Sequence, residues 1–93
     1  MRIIGYIDHP ELKITVFKMD DKFSVKFENG FFEQTFKIRS IDGLSTLEDI
    51  GKLVDQDYIN SVSGIFSQME LIRQEAFRRF LPPEEKEEFE TII

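Results

Sequence analysis

The chain has no cysteine and no tryptophan, one histidine, three prolines and five glycines among 93 residues. Without cysteine there is no disulfide framework, no thiolate nucleophile and no thiolate zinc site. With one histidine, any nucleophile–base arrangement has to be built around His9. That residue lies in Asp8-His9-Pro10-Glu11, a turn sequence, and base work would need a positioned partner. His9 is therefore read as a turn residue. Glycines 5, 30, 43, 51 and 64 are isolated and compose neither a dinucleotide fingerprint nor a Walker A loop. Apolar runs fall far short of the roughly 20 residues that cross a bilayer. Residues 1–8 hold one basic residue and a short apolar run broken by Asp8, so no secretory leader is expected. The expected setting is the cytoplasm, without membrane contact.

Metal chemistry is poorly served as well. Asp55-Gln56-Asp57 could open a calcium loop, but its sixth and twelfth places hold Asn60 and Phe66 where Gly and Glu are needed. Those acids, like Asp20-Asp21, are read as helix-cap and turn residues. No catalytic, cofactor-binding or metal-binding set emerges, and the chain is read as a non-enzyme. An enzyme would have to run on carboxylates, Tyr6, Tyr58 or His9.

What the sequence does contain is patterned. Hydrophobic residues make up 41% and charged residues 32%, enough for one core, and residues 1–93 are read as a single α+β domain. The net charge of −6 is uneven. Residues 1–41 hold seven basic and six acidic side chains, whereas residues 84–93 hold one and five. Acidity is concentrated in the tail.

Residues 2–40 alternate with the period of half-buried strands. Leu12, Ile14 and Val16 share one face, as do Phe23, Val25 and Phe27, then Phe32, Phe36 and Ile38. Asp20-Asp21 as a turn pairs Val16 with Val25 and Ile14 with Phe27. Asn29-Gly30 as a two-residue hairpin turn pairs Phe27 with Phe32 and Val25 with Gln34, and sets Lys26 opposite Glu33. A first strand runs near residues 3–7. Helical periodicity takes over in residues 46–81. Ser45 and Glu48 read as a capping box for a first helix. A second helix begins near Asp57. Its apolar stripe comprises Ile59, Val62, Phe66, Met69, Ala76 and Phe80, widened by Tyr58, Ile65, Ile72 and Phe77. Arg73 interrupts the stripe and is expected to pair with an acid of the first helix or to mark its exit from the core. Gly51 and Gly64 fall inside the helices, where close approach of a neighbour would compensate their cost. Pro82-Pro83 ends the second helix. The expected fold is a four-stranded antiparallel meander followed by two helices, the long one packed across one sheet face, with a short helical tail.

Two binding surfaces follow. The first is a protein-contact set of large apolar residues at partly exposed positions: Phe17, Phe31, Leu71 and Phe89. With the stripe of the second helix it points to a self-associating interaction module, expected to be a homodimer with a further, unidentified protein partner. The alternative is the outer sheet face. There Lys13, Lys26, Lys37 and Arg39 interleave with Phe17 and Phe31, as a single-strand nucleic-acid platform would require. Glu11, Glu28 and Glu33 on that face, and the acidic chain as a whole, disfavour nucleic acid.

The run Gly5-Tyr6-Ile7-Asp8-His9-Pro10-Glu11-Leu12-Lys13-Ile14-Thr15-Val16-Phe17-Lys18, together with Glu33-Gln34-Thr35-Phe36-Lys37-Ile38-Arg39, resembles a family of short bacterial proteins with no assigned function. The resemblance covers most of the first eighty residues and implies no activity. The order of four strands then helices is also similar to that of PUR-type nucleic-acid-binding domains.

Overall fold

Alternating β-branched and aromatic side chains build four antiparallel strands, and the turns between them decide which residues meet. A computed structural model describes residues 1–41 and 43–82. Strands β1 (Arg2–Ile7), β2 (Lys13–Met19), β3 (Lys22–Glu28) and β4 (Glu33–Arg39) form one sheet in the order β1-β2-β3-β4. Helices α1 (Leu47–Leu53) and α2 (Gln56–Phe80) follow, so the fold is α+β. The chain divides into two compact units, Met1–Val62 and Ser63–Ile93. The expected tail at residues 84–93 lies outside the described residues.

In Met1–Val62, β2 and β3 join through a tight turn with Asp20 in the left-handed region at φ 53°. Aspartate tolerates that conformation better than most residues. The pairing is the one expected: Val16 opposite Val25 and Ile14 opposite Phe27. Ile14, Val16, Phe23, Val25 and Phe27 are all fully buried on the inner face.

The β3–β4 hairpin corrects the sequence reading. Its loop spans residues 29–32 rather than two residues. Asn29 Oδ1 accepts from the amides of Phe31 at 3.0 Å and Phe32 at 2.9 Å, and Gly30 takes φ +97°. The Asn29 amide closes the loop on the Phe32 carbonyl at 3.2 Å. The ladder therefore pairs Phe27 with Gln34, Val25 with Phe36 and Glu28 with Glu33. The offset from the expected register is two residues, so every side chain keeps its face. The partners change: Lys26 now faces Thr35, not Glu33.

Strand β1 carries a bulge between Ile3 and Gly5. A Cβ on Gly5 would clash with the Leu47 side chain, so this glycine lets α1 approach β1 closely. The α1 cap lies one residue later than expected. Thr46 is the N-cap, and Asp49 supplies the reciprocal contact, accepting from the amides of Ser45 at 2.9 Å and Thr46 at 3.1 Å. The Ser45 amide first, then the Thr46 hydroxyl, holds the Asp49 carboxyl below the usual carboxylate range.

Asp55 caps α2, its Oδ1 accepting from the Tyr58 amide at 2.9 Å. The Tyr58 ring stacks on Phe27, with centroids 5.7 Å apart, and meets Phe36 edge-on at 5.3 Å. Gln34 Nε2 donates to the Val62 carbonyl at 3.0 Å. These contacts hold the part of α2 within Met1–Val62 on the inner sheet face.

In the second unit α2 continues to Phe80. Arg73 pairs with Glu70 on its own helix, Nη2 to Oε1 at 2.6 Å. Arg78 pairs likewise with Glu75.

Gly51 and Gly64 also depart from expectation. Among the described residues nothing lies within 4 Å of a Cβ at either position, so no close approach compensates them. Gly51→Ala and Gly64→Ala should each stabilise the protein, by about 0.5–1 kcal/mol. Gly5→Val should destabilise it by roughly 1–3 kcal/mol through overpacking, and Leu47→Ala in the same chain should recover part of that loss. Urea denaturation of the four variants checks both signs.

Candidate interaction surfaces

The outer face of the sheet follows from the register, since directly paired residues point to the same side. Across the strands run Tyr6–Thr15–Lys26–Thr35 and Ile3–Phe17–Ser24–Lys37. Met19–Lys22–Arg39 lies at one end of the sheet and Lys13–Glu28–Glu33 at the other. Five cations and two carboxylates thus share a face of a chain whose net charge is −6.

All four expected basic residues lie on this face, with Lys13, Lys37 and Arg39 exposed and Lys26 half-buried. Sequence reasoning missed Lys22. The parity of Ser24 and Lys26 was the signal that could have found it. Lys22, Lys37, Ile38 and Arg39 line one shallow hollow at the strand ends. Lys26 Nζ lies 5.6 Å from the centre of the Phe17 ring and 3.4 Å from Glu28 Oε1, so its charge serves both an aromatic and a carboxylate. Thr15, only 2% exposed, lies between Tyr6 and Lys26 and is covered despite its outward position.

Two cross-strand pairs on this face carry like charges. Glu28 faces Glu33, and Lys22 faces Arg39. Such juxtapositions are unfavourable. They flank β4 at both ends.

The expected contact residues occupy different elements. Phe17 is half-buried within the outer face, and Phe31 is 79% exposed at the β3–β4 loop. Leu71 is 58% exposed on α2, and Phe89 lies outside the described residues. Sequence reasoning gave too little weight to the neighbours of Leu71. On residues 63–80, Ile72 is 67% and Phe80 81% exposed, and Ile65 and Phe77 are also exposed. At 100° per residue, Ile65, Met69, Ile72, Ala76 and Phe80 form one continuous stripe. Leu71 projects from the other side.

Two of the residues considered for catalysis, His9 and Tyr58, have structural employment. His9 Nδ1 accepts from the amides of Glu11 and Leu12, both at 3.1 Å, and so closes the β1–β2 turn. Tyr58 is held in the aromatic cluster. Among the described residues no group of three metal-ligating side chains occurs, and no helix is long and apolar enough to cross a membrane. Comparison with protein-family models, with curated proteins and with solved structures finds no match to this chain.

Burial raises the Tyr58 phenol above the usual tyrosine range. A group bound more tightly to its proton in the folded state stabilises the fold at lower pH. That contribution is lost as pH rises through the folded value. The chain has two tyrosines, so Tyr6→Phe isolates Tyr58. Its absorbance titration should run alkaline of a free tyrosine and shift back on unfolding in urea.

Proposed function

We propose that the protein is a non-enzymatic interaction module that self-associates through the apolar stripe of α2 at residues 63–80. One observation carries the reading: this segment, about 27 Å long at 1.5 Å per residue, leaves Ile65, Ile72 and Phe80 exposed in a line. An exposed apolar patch of that length on a water-facing helix marks a contact surface. The occupant is a second copy. Heptad-related apolar positions match the same positions of an identical helix, and the resulting interface is isologous. In this reading His9 and Tyr58 serve the fold and the exposed surfaces serve binding. The setting in this reading is cytoplasmic, as a cysteine-free chain suits.

Ile72→Glu should weaken self-association about tenfold or more, since burying one large aliphatic side chain contributes roughly 1.5–3 kcal/mol. Circular dichroism should be unchanged, because the site is exposed. Leu71→Glu, off the stripe, should have little effect. Sedimentation equilibrium decides: a chain that is monomeric at high concentration, or an Ile72→Glu protein that associates like the parent, removes this reading.

A second reading has its own support. The outer sheet face combines Lys22, Lys26, Lys37 and Arg39 with the exposed ring of Tyr6 and the half-buried ring of Phe17, a surface suited to single-stranded nucleic acid. Affinity for a labelled oligonucleotide should then fall steeply with salt and be lost in Lys22→Glu/Lys37→Glu. Absence of any salt-sensitive binding excludes it.

A further inference from the structure

We infer that the free edge of β4 is a second self-recognition surface, pairing antiparallel with β4 of another copy about a two-fold axis at Phe36. This goes beyond the α2 contact and stands on different residues. Among the described residues β4 has a neighbour on one side only. The other edge strand, β1, is interrupted by a bulge, a device that discourages edge pairing; β4 has neither bulge nor proline across its seven residues.

The ladder shows which groups the edge offers. The Asn29 amide donates to the Phe32 carbonyl, and the Ser40 amide donates to the Asp21 carbonyl. Hydrogen-bonded pairs alternate along an antiparallel ladder. Gln34, Phe36 and Ile38 therefore direct their backbone groups to β3, and Glu33, Thr35, Lys37 and Arg39 direct theirs to the open edge.

Pairing about Phe36 uses the whole strand. It sets Glu33 against the Arg39 position of the second copy, Thr35 against Lys37, and Gln34 against Ile38. All four outward-directed residues then meet outward-directed residues, as the hydrogen-bond pattern requires. The charges select this register. Within one chain Glu33 faces Glu28, and Arg39 faces Lys22. The second copy brings a cation to the first pair and an anion to the second, and by symmetry each relief occurs twice. Shifting the two-fold to Lys37 would set lysine against lysine.

The cysteine-free chain allows a direct test. Thr35→Cys and Lys37→Cys proteins are mixed at equal concentration and oxidised gently, and the products are sorted by mass. Directly paired positions lie about 5.5 Å apart between Cα atoms, within disulfide range. The mixed disulfide should exceed either self-linked product, and the preference should persist in Ile72→Glu. Adding Glu33→Arg or Arg39→Glu should cut the mixed product about tenfold without lowering thermal stability, because each change also removes a like-charge pair inside the chain. Combining the two reversals should restore it. Equal yields of all three products, no cross-link, or a double reversal no better than the singles overturns the proposal.

Discussion

The pairing of β2 with β3 is the constraint on which the rest of the molecule depends. Val16 opposite Val25 and Ile14 opposite Phe27 place the fully buried side chains on one face. A slip of one residue would turn all of them to solvent and bring Lys26 and Lys13 inward. The inner face that results is the surface that receives Tyr58, and Tyr58 with Gln34 seats the first turns of α2. The outer face is equally a consequence: once the aliphatic and aromatic residues are committed inward, the alternating lysines, Arg39 and the rings of Tyr6 and Phe17 share the opposite side.

Much of this was legible in the sequence because period-two alternation and the Asp20-Asp21 turn agree with each other. What was not legible depended on side chains that compete with the backbone. Asn29-Gly30 has the composition of a two-residue turn, but the Asn29 carboxamide takes two amides and holds four residues in the loop. Thr46 displaced Ser45 as the N-cap because Asp49 stands where it can accept from both amides ahead of α1. Helical glycines invite a packing explanation, and nothing in the pattern tells a glycine with a neighbour, such as Gly5 beside Leu47, from one facing open space, such as Gly51. Of the candidate contacts, Phe31 and Leu71 were recognisable as exposed, whereas Ile65, Ile72 and Phe80 were read as part of a stripe that could pack on the sheet as well as meet a second copy. Periodicity reports that a helix has an apolar side and not whether anything covers it.

Charge is distributed unevenly along the chain. The outer sheet face carries more cations than carboxylates, whereas residues 84–93 hold five acids and one lysine. On α2 the ions are largely paired within the helix, Glu70 with Arg73 and Glu75 with Arg78. Exposed pairs of this kind contribute little to stability. In the proposed self-association, recognition through the apolar stripe beside them would rest on shape and burial. The sheet edge is the reverse case, with little apolar surface, a full set of backbone groups and charges that discriminate between registers.

The two-residue offset in the β3–β4 hairpin joins these points. In the register expected from the turn, Lys26 would have faced Glu33 and Lys37 would have faced Lys22. The longer loop moves Glu33 opposite Glu28 and Arg39 opposite Lys22, while Lys26 turns to Glu28 along its own strand. An isolated sheet has no reason to keep like charges facing each other at both ends of an open edge, since one substitution at either position would remove the repulsion without touching the core. The arrangement is consistent if the strand's partner is its own copy. Antiparallel pairing then brings the acidic end of one β4 to the basic end of the other, and the misfit inside each chain becomes the complementarity between them.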